Sequence, residues 1–409
     1  MNVSYPRVGV VAALTVLSLV ACGGDDDSGS ATTTTAAAGA TTTTAAPAGE
    51  IDPADFTVDF SAMEAFKDVA AQGEGLVAVL LPDTTTSARY ETFDRPYLQQ
   101  AFEAAGLTPD QIKIDNAQGS AQTMQTQAEA AITEGATVML IDAIDSGSGA
   151  AIQAAATAKG VKVIDYDRLT TGGAEGRIYV SFDNVKVGTF IGDGFVECVG
   201  AWNVATPNVL IMDGAPTDNN AKLFAEGYNA VLQPHFDDGS FVKVSEPAGT
   251  WTPAVAATTF DQEFTANPNI NSAITPNDDN ANAVIARLQA QQIPPKTFPT
   301  TGQDASLVGV QNILKGYQCG TVYKPIYVEA QAAAIVALHL RAGMDPPEGL
   351  VNGTVADSES GTDVQSVLLT PTWVTTENLK DTVIADEAVD VAAVCVPAVA
   401  EACTAAGIG

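Results

Sequence analysis

Basic side chains are scarce in this chain: 18 Lys and Arg stand against 49 Asp and Glu in 409 residues, a formal net charge of −31. Nucleic acids bind where such cations cluster, so they are excluded as default partners. Two His and five Cys leave too few donors for a dedicated zinc site, and neither DDDSGS at 25–30 nor FDDGS at 236–240 completes a calcium loop. No metal and no cofactor is expected. The G-x-S-x-G elbow of serve-and-release acyl chemistry is missing, and His235 and His339 read as structural residues. Apolar runs are short: the run VGVVAALTVLSLVA at 8–21 falls below the about 20 residues that cross a bilayer. Aromatics make up only 6% of the chain, yet 46% is hydrophobic and only 16% charged, so the acidity is a shortage of bases and a sizeable core is available. The Ala- and Val-rich composition suits helices packed on buried sheets.

The N-terminus carries Arg7, the short apolar run and then Leu19-Val20-Ala21-Cys22. That ending resembles the lipobox of bacterial lipoproteins, which implies a signal peptide over 1–21 and acylation of Cys22. The chain would then sit outside the cytoplasm, anchored by lipid to the outer face of the cell membrane. Residues 22–50 are mostly Gly, Asp, Ser, Thr and Ala with TTTT written twice. Such a stretch has nothing to bury and is expected to be a disordered tether with a reach of about 30 Å. With Cys22 set aside, an even number of cysteines remains in an exported chain, which predicts disulfides. Cys395 and Cys403 are neighbours in sequence and would close a small loop; Cys198 and Cys319 would pair across a long one.

From Asp52 onward short apolar runs alternate with longer amphipathic ones. LVAVLL (76–81), TVMLIDA (137–143), VKVIDYD (161–167), IYVSFD (178–183), NVLIMDG (208–214), NSAITPND (271–278) and GTVYKPI (320–326) read as strands buried on both faces. In AQTMQTQAEAAITEGA, Met124, Ala128, Ala131 and Gly135 recur at helical spacing, and Gly135 is placed to end the helix. This alternation predicts an α/β protein with two doubly wound parallel-sheet lobes.

Ligands of open α/β sheets bind beyond the carboxyl ends of the strands, where this chain concentrates its distinctive polar residues. The first run delivers Arg89 and Tyr90, and later ones deliver Asp167-Arg168, Asp218-Asn219-Asn220, Asn277-Asp278, Gln303-Asp304 and Lys324. Carboxylates, amides and cations together suit a polyhydroxylated ligand, since each hydroxyl both donates and accepts. Tyr90 and Trp251 are candidate flat walls for the C–H face of a sugar ring. Each has a plainer reading: Asp218 and Asn277 as helix caps, Arg168 as an ion pair with Asp167, the two aromatics as core, Lys324 as a solvated residue.

YDRL at 166, SFDNVKVG at 181, PTDNNAKLF at 216, TGQDA at 301, TVYKPI at 321 and LLTPTWVTTENLKDTVI at 368 resemble the pulse-type sugar-binding family of receptors for ABC importers. The resemblance covers roughly residues 75–385. It implies the type I periplasmic-binding-protein fold, with a three-crossing hinge. The N-terminal lobe would hold 75–184 plus 325–352 and the C-terminal lobe 185–324 plus 353–385, with 386–409 as an extension. It implies a monomeric, non-enzymatic receptor that holds a monosaccharide, D-xylose or a related aldose, and passes it to an ABC transporter permease. Carried over by motif, the ligand contacts would be Arg89, Tyr90, Asp167 and Arg168 from one lobe, Asp218, Asn220, Trp251, Asn277 and Asp304 from the other, and Lys324 at a hinge crossing. Tyr90 departs from the family pattern, which has Trp there. A sugar sensor that signals to a membrane partner, a repressor effector domain and a glycoside-active enzyme are the alternatives. The leader and the shortage of bases oppose the repressor, and an Asp167 held ionised by a neighbouring cation opposes the glycosidase.

Overall fold

The computed structural model describes residues 51–409; the expected signal peptide, Cys22 and the tether lie outside the described residues. Five strands come first: β1 (Leu76–Leu81), β2 (Ile112–Asn116), β3 (Ala136–Ile141), β4 (Lys162–Tyr166) and β5 (Ile178–Phe182). Then follow β6 (Asn208–Ile211), β7 (Val242–Ser245), β8 (Ser272–Ile274), β9 (Thr321–Tyr323), β10 (Gly353–Asp357), β11 (Thr362–Leu369) and β12 (Thr372–Val374). One seven-stranded sheet runs in the order β10-β11-β5-β4-β3-β1-β2, parallel except for the β10–β11 pair. A second lobe is built on the parallel trio β7-β6-β8 and the antiparallel pair β12-β9. Single bridges Ala273–Thr300 and Gln303–Val322 connect those two parts.

Each of the seven apolar runs contains a strand, because residues such as Val77 to Leu81 are covered on both sheet faces. The helix Ala121–Thr133 is capped by Ser120 and buries Met124, Ala128 and Ala131, and just beyond it Gly135 adopts φ +96°, open to glycine without strain. The helix Ile326–Arg341 is apolar on nearly every side and packs under the first sheet, which explains its run of buried alanines. The chain passes between lobes three times: after β5, between β9 and the Ile326–Arg341 helix, and between β11 and β12.

The third crossing differs from the expected boundary. Residues 353–369 do not join the C-terminal lobe; β11 lies parallel to β5, with Ser366 opposite Tyr179 and Leu369 opposite Phe182. The chain therefore leaves the first lobe near residue 370. The segment 386–409 folds against the second lobe. Its helices Val391–Val394 and Ala400–Ala405 share a core with Val310, Leu314, Leu379 and Val383, and Gln311 donates to the Ala393 carbonyl (2.9 Å). Disulfides join Cys198 to Cys319 and Cys395 to Cys403.

Candidate functional site

The loop after β1 carries Arg89 into a wide helical turn, Tyr90–Asp94, that runs on into the helix Arg95–Ala104. Arg89 is buried among three carboxylates. Its Nε and Nη2 donate to the two oxygens of Asp94 (2.9 and 2.6 Å), Nη1 donates to Asp167 (2.9 Å) and Nη2 also to Glu329 (2.8 Å). Asp94 also accepts the Tyr166 hydroxyl (2.6 Å). This arrangement fixes Arg89 in one position and leaves it little freedom to follow a ligand.

Asp167 follows β4 directly and has φ +57°, a left-handed conformation that turns its carboxylate back over the strand end. Burial works to raise its pKa, but the surrounding Arg89, Lys324 and Arg168 outweigh that and lower it to about 2. Arg168 does not pair with Asp167 as expected from their adjacency. Its Nη2 donates to the Tyr90 hydroxyl (2.9 Å) and its Nε lies 3.4 Å from Asp218 and 3.5 Å from Asp142. Neither oxygen of the fully buried Asp142 has a hydrogen-bond partner, and burial pushes its pKa well up. The guanidiniums of Arg89 and Arg168 lie 5.6 and 5.5 Å from the centroid of the Tyr90 ring.

The second lobe contributes through helix starts. Asp218 caps the helix Asn219–Asp237, its Oδ1 accepting the Asn220 N–H (2.9 Å), while Oδ2 accepts Trp251 Nε1–H (3.0 Å). The cap reading of Asp218 holds. Trp251 also depends on Gly214, where an added Cβ would come within 2.3 Å of the indole. Asn277 caps the helix Asp278–Ala290 and donates from Nδ2 to the Thr86 carbonyl (3.1 Å) across the lobes. Asn220 donates to the Asp167 carbonyl (2.9 Å) and accepts from Tyr179 (3.1 Å). Asp304, at φ +94°, accepts from Ser87 Oγ (2.9 Å). Lys324, between β9 and the following helix, stands 3.6 Å from both Asp167 and Asp304, one carboxylate from each lobe.

All ten ligand contacts expected from the sequence line one cavity, joined there by Thr86, Ser87, Phe224 and Gln303. Residues 77–344 match the family model described as periplasmic binding protein domain. The chain belongs to the periplasmic binding protein family. Among the relatives of this periplasmic binding protein is the D-xylose-binding periplasmic protein of Escherichia coli (strain K12), 34% identical over 323 residues, 78% of this chain and 92% of that one. A multiple sugar-binding periplasmic protein of Azospirillum brasilense is 29% identical over 77% of the chain and 89% of its own length. Among solved structures, a carbohydrate transporter solute-binding protein from Chloroflexus aurantiacus, in complex with D-glucose, is similar with a TM-score of 0.69 and 27% identity, covering 78% of this chain and 98% of that one.

Of the three carboxylates that hold Arg89 in place, sequence reading named only Asp167. Asp94 is five residues from Arg89 and was within reach of helical spacing, but Glu329 is separated by 240 positions and only the fold brings it there. Asp142 ends β3 as the other site acids end theirs, a signal that was available.

Proposed function

We propose that this periplasmic binding protein captures a monosaccharide, D-xylose or a related aldose, between its lobes and delivers it to an ABC importer from a lipid-anchored position. The observation that carries this is the convergence on one cavity of carboxylates, amides, cations and two aromatics from both lobes, with Lys324 bridging Asp167 and Asp304. Asp167 and Asp304 accept sugar hydroxyls, Arg168 and Lys324 donate, and Trp251 offers a flat wall. A ligand that touches both lobes shifts the hinge equilibrium by the difference in its affinity for the two forms, and the permease reads the closed one.

The relatives named for xylose and for multiple sugars support this class of ligand. Tyr90, whose hydroxyl is bound by Arg168 and donates to Asp167 (3.3 Å), places a polar atom where a plain apolar wall would otherwise lie. It sets the preference among aldoses. Asp167, its pKa held at about 2, is no general acid for hydrolysis. Calorimetry with a panel of pentoses and hexoses tests the reading: one or more should bind in the micromolar range or tighter, and silence from all of them at millimolar concentration overturns it.

A further inference from the structure

Of the fourteen described residues that line the cavity, Phe224 alone has a side chain with no hydrogen-bonding atom. It lies within the helix Asn219–Asp237, so its backbone N–H and C=O are taken up by the helix as well. A ligand hydroxyl turned toward Phe224 would leave water and find no partner there. Every other lining side chain carries a donor or an acceptor.

Phe224 is also held in place. It is 2% exposed and belongs to the same buried core as Tyr228 and Trp251. Its helix lies so close against the helix Asn184–Ala201 that a Cβ added at Gly188 would collide with the Phe224 carbonyl, and one at Gly227 with the Val185 carbonyl. The segment that carries Phe224 therefore has no room to draw back from a bulkier ligand. Its ring stands at 84° to the Trp251 indole, with 6.4 Å between centroids, so the two aromatics meet as the sides of a corner. A pyranose stacked on the indole turns its rim to Phe224.

On that rim an aldopentopyranose has one carbon, C5, that bears no hydroxyl and no other substituent. The matched aldohexopyranose bears a hydroxymethyl group there: D-glucose is D-xylose with that group added, and D-galactose is L-arabinose with it added. C5 of the pentose is the ring carbon that suits a surface able neither to donate nor to accept. The hexose would have to bury its C6 hydroxyl there unpaired.

We propose that Phe224 determines specificity in this cavity, selecting pentopyranoses over hexopyranoses of the same ring configuration; this rests on the sugar-binding reading above. The test is calorimetry on the full chain with the two matched pairs and with 6-deoxy-D-glucose. Whichever pentose binds should do so about tenfold or more tightly than its hexose partner, as expected for an unmatched group of this size. Phe224→Ser and Phe224→Gln, which open space and supply a polar atom, should each narrow that ratio severalfold. In the wild type 6-deoxy-D-glucose, whose methyl group brings no hydroxyl to Phe224, should outbind D-glucose. The proposal falls if a hexose binds the wild type as tightly as its matched pentose, if the ratio survives in both variants, or if D-glucose binds as tightly as its 6-deoxy form. The wild-type comparisons decide it even where neither variant folds. If none of these sugars binds, the sugar-binding reading itself falls and takes this one with it.

Discussion

Glu329 shows how far burial, helped by the carboxylates of Asp167 and Asp94, can shift a carboxyl here. It shares Arg89 with Asp94 and Asp167, and burial raises its pKa to about 8, while burial raises that of Asp278 to about 7. Each therefore keeps a proton in the folded protein that it gives up on unfolding near neutral pH. The stabilisation is complete below the ordinary carboxyl values of 4.5 and 3.8 and is lost as pH rises through about 7 to 8. Asp167, lowered to about 2, acts in the opposite sense and matters only in strong acid. The melting temperature should accordingly fall between pH 5 and pH 8.5, and Glu329→Gln, which keeps the shape without the titration, should flatten that fall. A thermal series over this range decides it; a melting temperature that climbs with pH rules the assignment out. In the cavity, Asp304→Ala removes a partner of both Ser87 and Lys324. Loss of such a buried charged contact should weaken aldose binding by about 2 to 5 kcal/mol; an affinity unchanged by calorimetry would remove Asp304 from the site.

Among the elements, the strands that sequence reading found are those buried on both faces, and those it missed are edges or hairpins. β2 and β7 lie at sheet edges with partly exposed residues, and β10 alternates exposed and inward positions, so none carries a continuous apolar run. The same cause misplaced residues 353–369: nothing local in a half-exposed hairpin says which sheet it will join. The C-terminal segment is a clearer case of local design. Its two short helices are too small to hold themselves, and the Cys395–Cys403 bond and the apolar contact with the helix Leu307–Lys315 secure them. Replacing both cysteines by Ser should cost about 2 to 3 kcal/mol in denaturant unfolding, while the same change at Cys198 and Cys319, which closes a far longer loop, should cost about 5 kcal/mol. Equal effects from the two pairs would contradict the loop-length account.

At the level of the whole molecule the lobes meet in a closed arrangement. Ser87 reaches Asp304, Asn277 reaches the Thr86 carbonyl, the Ala88 N–H reaches Asp279, and the Ser146 N–H reaches the Thr217 carbonyl (3.3 Å). Closure brings Asp167 of one lobe and Asp304 of the other to the same cation, Lys324, 3.6 Å from both. A bound aldose should tip the balance further. Small-angle scattering should then give a smaller radius of gyration with saturating aldose than without, and a curve indifferent to ligand would argue against hinge closure.

Strand composition, helix caps and the order of the motifs are properties of neighbouring residues, which is why the α/β class, the two lobes and ten of the fourteen cavity residues could be named as ligand contacts from the chain alone. Where those residues stand is another matter. Arg89 meets Glu329, Lys324 joins carboxylates of both lobes, and β11 chooses β5 because chain segments far apart in sequence are packed together. Protonation of Glu329, the engagement of Arg168 by Tyr90 and the apolar wall at Phe224 all arise from that packing. Burial and distance set them, and neither is written in local sequence.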